Sequence, residues 1–129
     1  MLLVRHAGNT VLLTGDLEGA GQDRVVRLPL TPVDVLLAPH HGGKDANARH
    51  VGGNRYEPGP VATWARPRLV VSCQKAGATD HLGAAYGSAG ATVWDTPTAG
   101  AVTIRSHPTG LVAEAFRTGE VRVVRRGVP

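Results

Sequence analysis

Between Val33 and Ala38 the chain is nearly continuously apolar, interrupted only by Asp34. A strand of this kind has no polar face to turn to water, so it must be covered on both sides, which requires layers of structure above and below one sheet. Leu69 to Cys73 has the same character. Leu2 to Arg5 and Thr10 to Thr14 are short β-rich runs joined through His6-Ala7-Gly8-Asn9, whose Gly and Asn tolerate positive φ, and this predicts a hairpin. Ala91 to Trp94, Ala101 to Arg105, Leu111 to Phe116 and Val121 to Arg125 are all short and β-compatible. Pro60 to Arg66 predicts a short helix. A second is expected from His81 to Ser88, capped by Asp80, stopped near Gly90 and apolar along Leu82, Ala85 and Tyr86. Residues 44–60, rich in Gly, Asn, His and Pro and without a period, are expected to form a long loop. Early strands alternate with helices or loops and later ones pair as hairpins, so the expected class is α/β, a mixed sheet with an antiparallel end.

With 129 residues the chain has room for one domain, spanning 1–129. Its 17 Gly and 9 Pro are spread between apolar runs and form no repeat, which favours tight turns over general disorder. Nothing approaches the ~18 consecutive apolar residues of a membrane span, and no secretory signal pattern opens the chain; it is expected to be soluble and untargeted. The single cysteine, Cys73, excludes an internal disulfide framework and is expected to be a small core residue. Trp64 and Trp94 are expected in packing roles, and Tyr56 is a candidate pocket wall. The formal charge is +4, and its excess lies in the second half: residues 1–60 hold six acids and six bases, residues 61–129 four acids and eight bases. Arg122, Arg125 and Arg126 are its densest part, and a basic surface of this kind can favour a phosphate backbone.

Two polar clusters stand after predicted strands: Gly15-Asp16, with Glu18 after it, and His40-His41, with Asp45 after it. Sites of open α/β sheets often lie at such strand ends. A carboxylate and imidazoles brought together there suit Zn²⁺ or Mn²⁺, since Asp supplies a hard oxygen and neutral His an intermediate nitrogen. Asp16, His40 and His41 are therefore the candidate metal ligands; the alternative is a turn aspartate and hydrogen-bonded surface histidines.

Leu12-Leu13-Thr14-Gly15-Asp16-Leu17-Glu18 and Asp34-Val35-Leu36-Leu37-Ala38-Pro39-His40-His41-Gly42-Gly43 resemble the later half of the metallo-β-lactamase fold hydrolases, in the form found in the soluble domain of ComEC-like competence proteins of DNA uptake. Gly90 to Pro97 and Gly100 to Ile104 are similar to that family's closing strands. The resemblance implies the C-terminal half of an αββα sandwich. It also implies that Asp16 bridges two metal ions and that a histidine of the pair, His40 or its rival His41, is a ligand. Glu18 or Asp45 would then orient a ligand ring. His81 falls where members carry a histidine in the closing region, with surface or capping roles as its alternative. Members often have HHGS where this chain has Gly43, and their principal HxHxDH motif does not occur in it. The expectation is thus a truncated or split relative of a metal-dependent phosphodiesterase, its zinc or manganese site dinuclear only if the other half is supplied by a second polypeptide or by self-association, with DNA as the implied substrate. Full-length relatives are membrane-associated, whereas no membrane segment is expected here. The alternatives are a non-catalytic structural or partner-binding fragment, and a nucleic-acid binder acting through Arg117, Arg122, Arg125 and Arg126.

Overall fold

The structure is a computed structural model and describes residues 1–29, 32–75 and 80–127. The side chain of Arg126 lies outside the described residues. β1 (Leu2–His6) and β2 (Asn9–Leu13) form the expected hairpin, with Ala7 and Gly8 both at positive φ (49° and 77°). That backbone matches the right-handed strand twist, which is why a two-residue connection suffices. β2 then pairs in parallel with β3 (Val35–Leu37), β3 with β6 (Leu69–Ser72) and β6 with β7 (Thr92–Asp95), giving a five-stranded sheet in the order β1-β2-β3-β6-β7. The intervening β4 (Ala48–His50) and β5 (Tyr56–Pro58) make a separate hairpin, and β8 (Val102–His107), β9 (Gly110–Ala115) and β10 (Val121–Arg126) an antiparallel sheet.

Strand periodicity divides the core in two. Leu12, Leu36 and Val70 point to one face of the large sheet, where they meet Val25 of α1 (Ala20–Val25), Ala62, Trp64 and Ala65 of α3 (Pro60–Ala65), and Leu82, Ala85 and Tyr86. Their neighbours Val35, Leu69, Val71 and Trp94 point to the other face and pack on Leu111, Ala113, Ala115 and Val124 of the small sheet. The result is a mixed α/β protein in three layers: helices, five-stranded sheet, three-stranded sheet. Both tryptophans are buried in these layers, as packing residues should be. No helix among the described residues is long and apolar enough to cross a membrane.

Two expectations are corrected. Residues 44–60 are not a loop: they form α2 (Lys44–Asn47), β4 and β5, with Gly59 as the N-cap of α3 and Pro60 its first residue. Their small apolar surface hides the pattern, because Ala46, Asn47 and Ala48 are buried through backbone packing and hydrogen bonds rather than through large side chains. Asp80 lies inside α4 (Asp80–Leu82) rather than ahead of it, and the helix continues through a π-helical turn, Gly83–Gly87. Two helices went unanticipated. α1 buries only Gln22 and Val25 of its six residues, too little for a helical period to be visible. α5 (Thr96–Ala99) is a single turn capped by Asp95, whose Oδ1 accepts a hydrogen bond from Thr98 N at 2.9 Å.

Candidate metal-binding half-site

The parallel strands end together, and the segments leaving them meet at that edge. Past β2 come Gly15 and Asp16; past β3, a left-handed turn, Pro39–Gly42; past β6, Cys73. His40 and His41 have φ, ψ of 48°, 52° and 60°, 3°, and Gly42 has φ 101°. Left-handed backbone at two successive non-glycine residues costs roughly 1–3 kcal/mol each and persists only where the surroundings impose it. Here they do so from three sides. His40 N donates to Gly15 O (2.9 Å), binding the turn to the end of β2. Ser72 Oγ (2.9 Å) and Cys73 N (3.2 Å) both donate to His41 O, binding it to β6. Asn47 Nδ2 donates to Pro39 O (2.9 Å) and Gly43 O (2.7 Å), closing it from α2.

The two histidine rings diverge to different carboxylates. His40 Nδ1 is 2.7 Å from Glu18 Oε2; the carboxylate accepts, so Nδ1 carries a proton, and in the neutral ring Nε2 then holds the lone pair. His41 Nε2 stands 3.4 Å from Asp16 Oδ1, while its Nδ1 is 3.1 Å from Cys73 Sγ. Of the two orienting candidates, Glu18 reaches a ring; Asp45 is exposed on the first turn of α2. All four groups, Asp16, Glu18, His40 and His41, are solvent-exposed at this edge.

Whether these residues suit a metal can be judged from their spacing. Two donors each about 2.0–2.2 Å from a tetrahedral Zn²⁺ stand about 3.3–3.6 Å apart. The 3.4 Å between His41 Nε2 and Asp16 Oδ1 falls in that interval, so this pair fits two corners of one coordination shell. It is half a shell at most, since among the described residues no three of His, Cys, Asp and Glu converge as a metal site.

Two residues lie elsewhere than expected. Cys73 is exposed, not a core residue, because β6 ends at Ser72 and it is the serine that turns inward to hold the turn. His81 is neither on the surface nor at the edge with Asp16: it is 2% exposed, and its Nε2–H donates to Gly42 O at 2.7 Å. It supports the histidine turn from behind. Tyr56 is half-buried against the helical core cluster, its ring edge-on to His81 at 6.1 Å, with Lys44 Nζ 5.6 Å from its centroid. Behind the turn, Tyr86 Oη donates to Asn47 Oδ1 at 2.7 Å in full burial, and burial pushes the phenol pKa well above its ordinary value. Asn47, Ser72 and Tyr86 were not anticipated as supports of the site. Asn47 sits in a stretch with no hydrophobic period and Ser72 looks like one more strand residue, so neither carries a sequence signal. Comparison with protein-family models, curated proteins and solved structures gives no match.

Proposed function

We propose that this chain supplies part of the active site of a metal-dependent phosphodiester hydrolase of the metallo-β-lactamase type, with Asp16 and His41 as metal ligands. The carrying observation is the 3.4 Å separation of His41 Nε2 and Asp16 Oδ1 at the carboxyl edge of a parallel sheet, on the two motifs whose order and spacing resemble that family. The three layers α/β/β are compatible with part of an αββα sandwich. So is the outer face of the small sheet, where Val121 and Val123 are exposed, with Phe116 just beyond the end of β9. DNA is the substrate that the ComEC-like form of the motifs implies.

When bound, the metal would lower the pKa of a water and offset negative charge on phosphate oxygens. The chain's own part is positional. Asp16 and His41 are the two donors, Glu18 holds the His40 ring through Nδ1, and Ser72, Asn47 and His81 hold the turn that carries both rings. The remaining donors would be waters or groups of another chain.

Zinc titration of the purified chain against a chromophoric chelator tests the reading, with manganese in parallel. Asp16→Ala and His41→Ala are expected each to remove the same weak site, whereas Asp45→Ala leaves it in place. Zinc binding that is unchanged in both variants would remove Asp16 and His41 as ligands. Metal-dependent cleavage of bis(p-nitrophenyl) phosphate by the isolated chain, lost in Asp16→Ala, would refute the claim that the site is partial.

A second reading, a non-catalytic partner-binding module, is favoured by the apolar surface of the hairpin at the open edge of the large sheet, where Leu2 and Val4 are 59% and 41% exposed.

A further inference from the structure

The opposite end of the large sheet holds a cavity of about 530 Å³, within the size range of small-ligand sites. Four arginines line it: Arg66 and Arg68 just before β6, and Arg122 and Arg125 on β10. Among the described residues of its lining Asp34 is the one acid, so four arginines and one carboxylate carry a net charge of +3. Asp34 is buried and is already well occupied. Its Oδ2 accepts from Thr10 N (2.8 Å) and Thr10 Oγ1 (3.1 Å), and Arg125 Nη1 lies 3.4 Å away; its Oδ1 is 3.4 Å from Arg68 Nε. Arg125 Nη1 also donates to Gly8 O. Among the described residues, Arg68 thus keeps both terminal nitrogens for another acceptor, and Arg125 keeps Nε and Nη2. Among the described residues Arg66 and Arg122 have no carboxylate partner within ion-pair distance.

A solvated stability network would pair its charges. This one sets four arginines around a concavity with one buried carboxylate, which holds Arg68 and Arg125 in place and leaves Arg66 and Arg122 without a carboxylate among the described residues. Planar forks match phosphate oxygens two at a time, and a cleft lined by one sign of charge focuses the field on an incoming anion. Arg66 adds a second sign. It ends α3 in left-handed backbone (φ 43°, ψ 55°), a position that glycine normally takes, and here that strained position belongs to an arginine at the cavity's edge, shared with the neighbouring cleft beside Trp64.

We infer that this cavity is a phosphate-binding site, taking the phosphate ester or pyrophosphate group of a nucleotide-sized ligand or of a nucleic-acid terminus. It is separated by the length of the strands from Asp16 and His41 and does not rest on the metal reading.

The test is calorimetric titration of the whole chain with pyrophosphate, and anisotropy of a labelled 5′-phosphorylated oligonucleotide, both at about 50 mM salt, where phosphate contacts are least screened. The variant is Arg66→Gly/Arg122→Gln; the glycine relieves the left-handed backbone, so the fold is retained, as a thermal melt verifies. Arg24→Gln/Arg27→Gln removes the same charge from the α1 region. Saturable pyrophosphate binding is expected, weakened about tenfold or more in the cavity variant and by no more than about twofold in the control. If the oligonucleotide also binds and pyrophosphate displaces it, the source is a nucleic-acid terminus; if pyrophosphate alone saturates, it is a free phosphorylated molecule. Wild-type protein that binds neither probe, equal loss in the two variants, or an oligonucleotide that pyrophosphate cannot displace would overturn the assignment.

Discussion

Gly42 is the residue on which the histidine turn depends. A Cβ built there would lie 2.4 Å from Ser72 Oγ and 3.1 Å from Leu82 Cδ1, and the φ of 101° is strained for any side chain. Gly42→Ala therefore has to displace Ser72, whose hydroxyl holds His41 O, and is expected to cost about 2–4 kcal/mol from strain and a lost buried hydrogen bond. Urea unfolding measures the loss, and zinc titration should report weakened binding even where the protein stays folded. Gly43 is different. Its φ is −53° and its nearest contact, His40 O at 3.3 Å, is only slightly tight, so Gly43→Ser should shift stability by no more than about 1 kcal/mol. A large loss there would mean that the turn cannot yield even by a few tenths of an ångström.

Tyr86 makes a pH prediction at the same scale. Its folded pKa is raised above the unfolded value of 10.0 because burial disfavours the phenolate. The sign comes from linkage: its contribution is fully present below pH 10 and is lost as pH rises beyond it, since the unfolded chain releases a proton that the folded chain retains. Chemical denaturation should show stability falling between pH 10 and 11.5. In Tyr86→Phe that part of the slope should vanish while stability at neutral pH drops by about 1–3 kcal/mol, because Asn47 Oδ1 loses its partner. An unchanged alkaline slope in the variant would assign the pH dependence to other groups.

Among the elements, α2 is only four residues long and holds much of the site. Asn47, its last residue, uses both amide protons on the backbone of the histidine turn and its carbonyl oxygen on Tyr86. Asn47→Ala is expected to cost about 2–4 kcal/mol in thermal or urea unfolding, for it orphans two carbonyls and a hydroxyl in a fully buried position. Asn47→Asp should be no better, since it sets acceptor against acceptor. Nothing in Lys44-Asp45-Ala46-Asn47 announces this, and the contrast with the strands is instructive. β3 and β6 are legible because a strand covered on both faces must be apolar at every position, a requirement written in residue type. The histidine turn is legible only as a pair of motifs at strand ends, and which ring meets Asp16 is decided by backbone dihedrals that residue type does not specify. α1, α2 and the β4–β5 hairpin are held by backbone hydrogen bonds and small side chains, so their stability is tertiary and leaves little period to read.

At the scale of the molecule, the two faces of the large sheet are unequally covered. Leu3 of β1 packs on the helical side, but Leu2 and Val4 face the other way, opposite Leu13 and Val11 on β2. The small sheet covers Val11 and leaves Leu2, Val4 and Leu13 exposed. β1 is also an edge strand whose outward backbone groups have no ladder partner in the sheet. An apolar, unpaired edge is where another strand adds most readily, and proteins that avoid this place charges there; β1 carries its charge only at Arg5. With no second protein present, the available strand is β1 of another copy. Purified chain is therefore expected to self-associate with rising concentration in sedimentation velocity, and Leu2→Lys/Val4→Lys to restore the monomer while leaving the melting temperature of the monomer within a few degrees, since both side chains are largely solvent-exposed. The two lysines put like charges at the point where strands would pair and leave Leu3 and the helical core untouched. Wild-type protein that stays monomeric at high concentration would show that the hairpin face is stable in water, and would count against both self-association and a partner that completes the sheet through this edge.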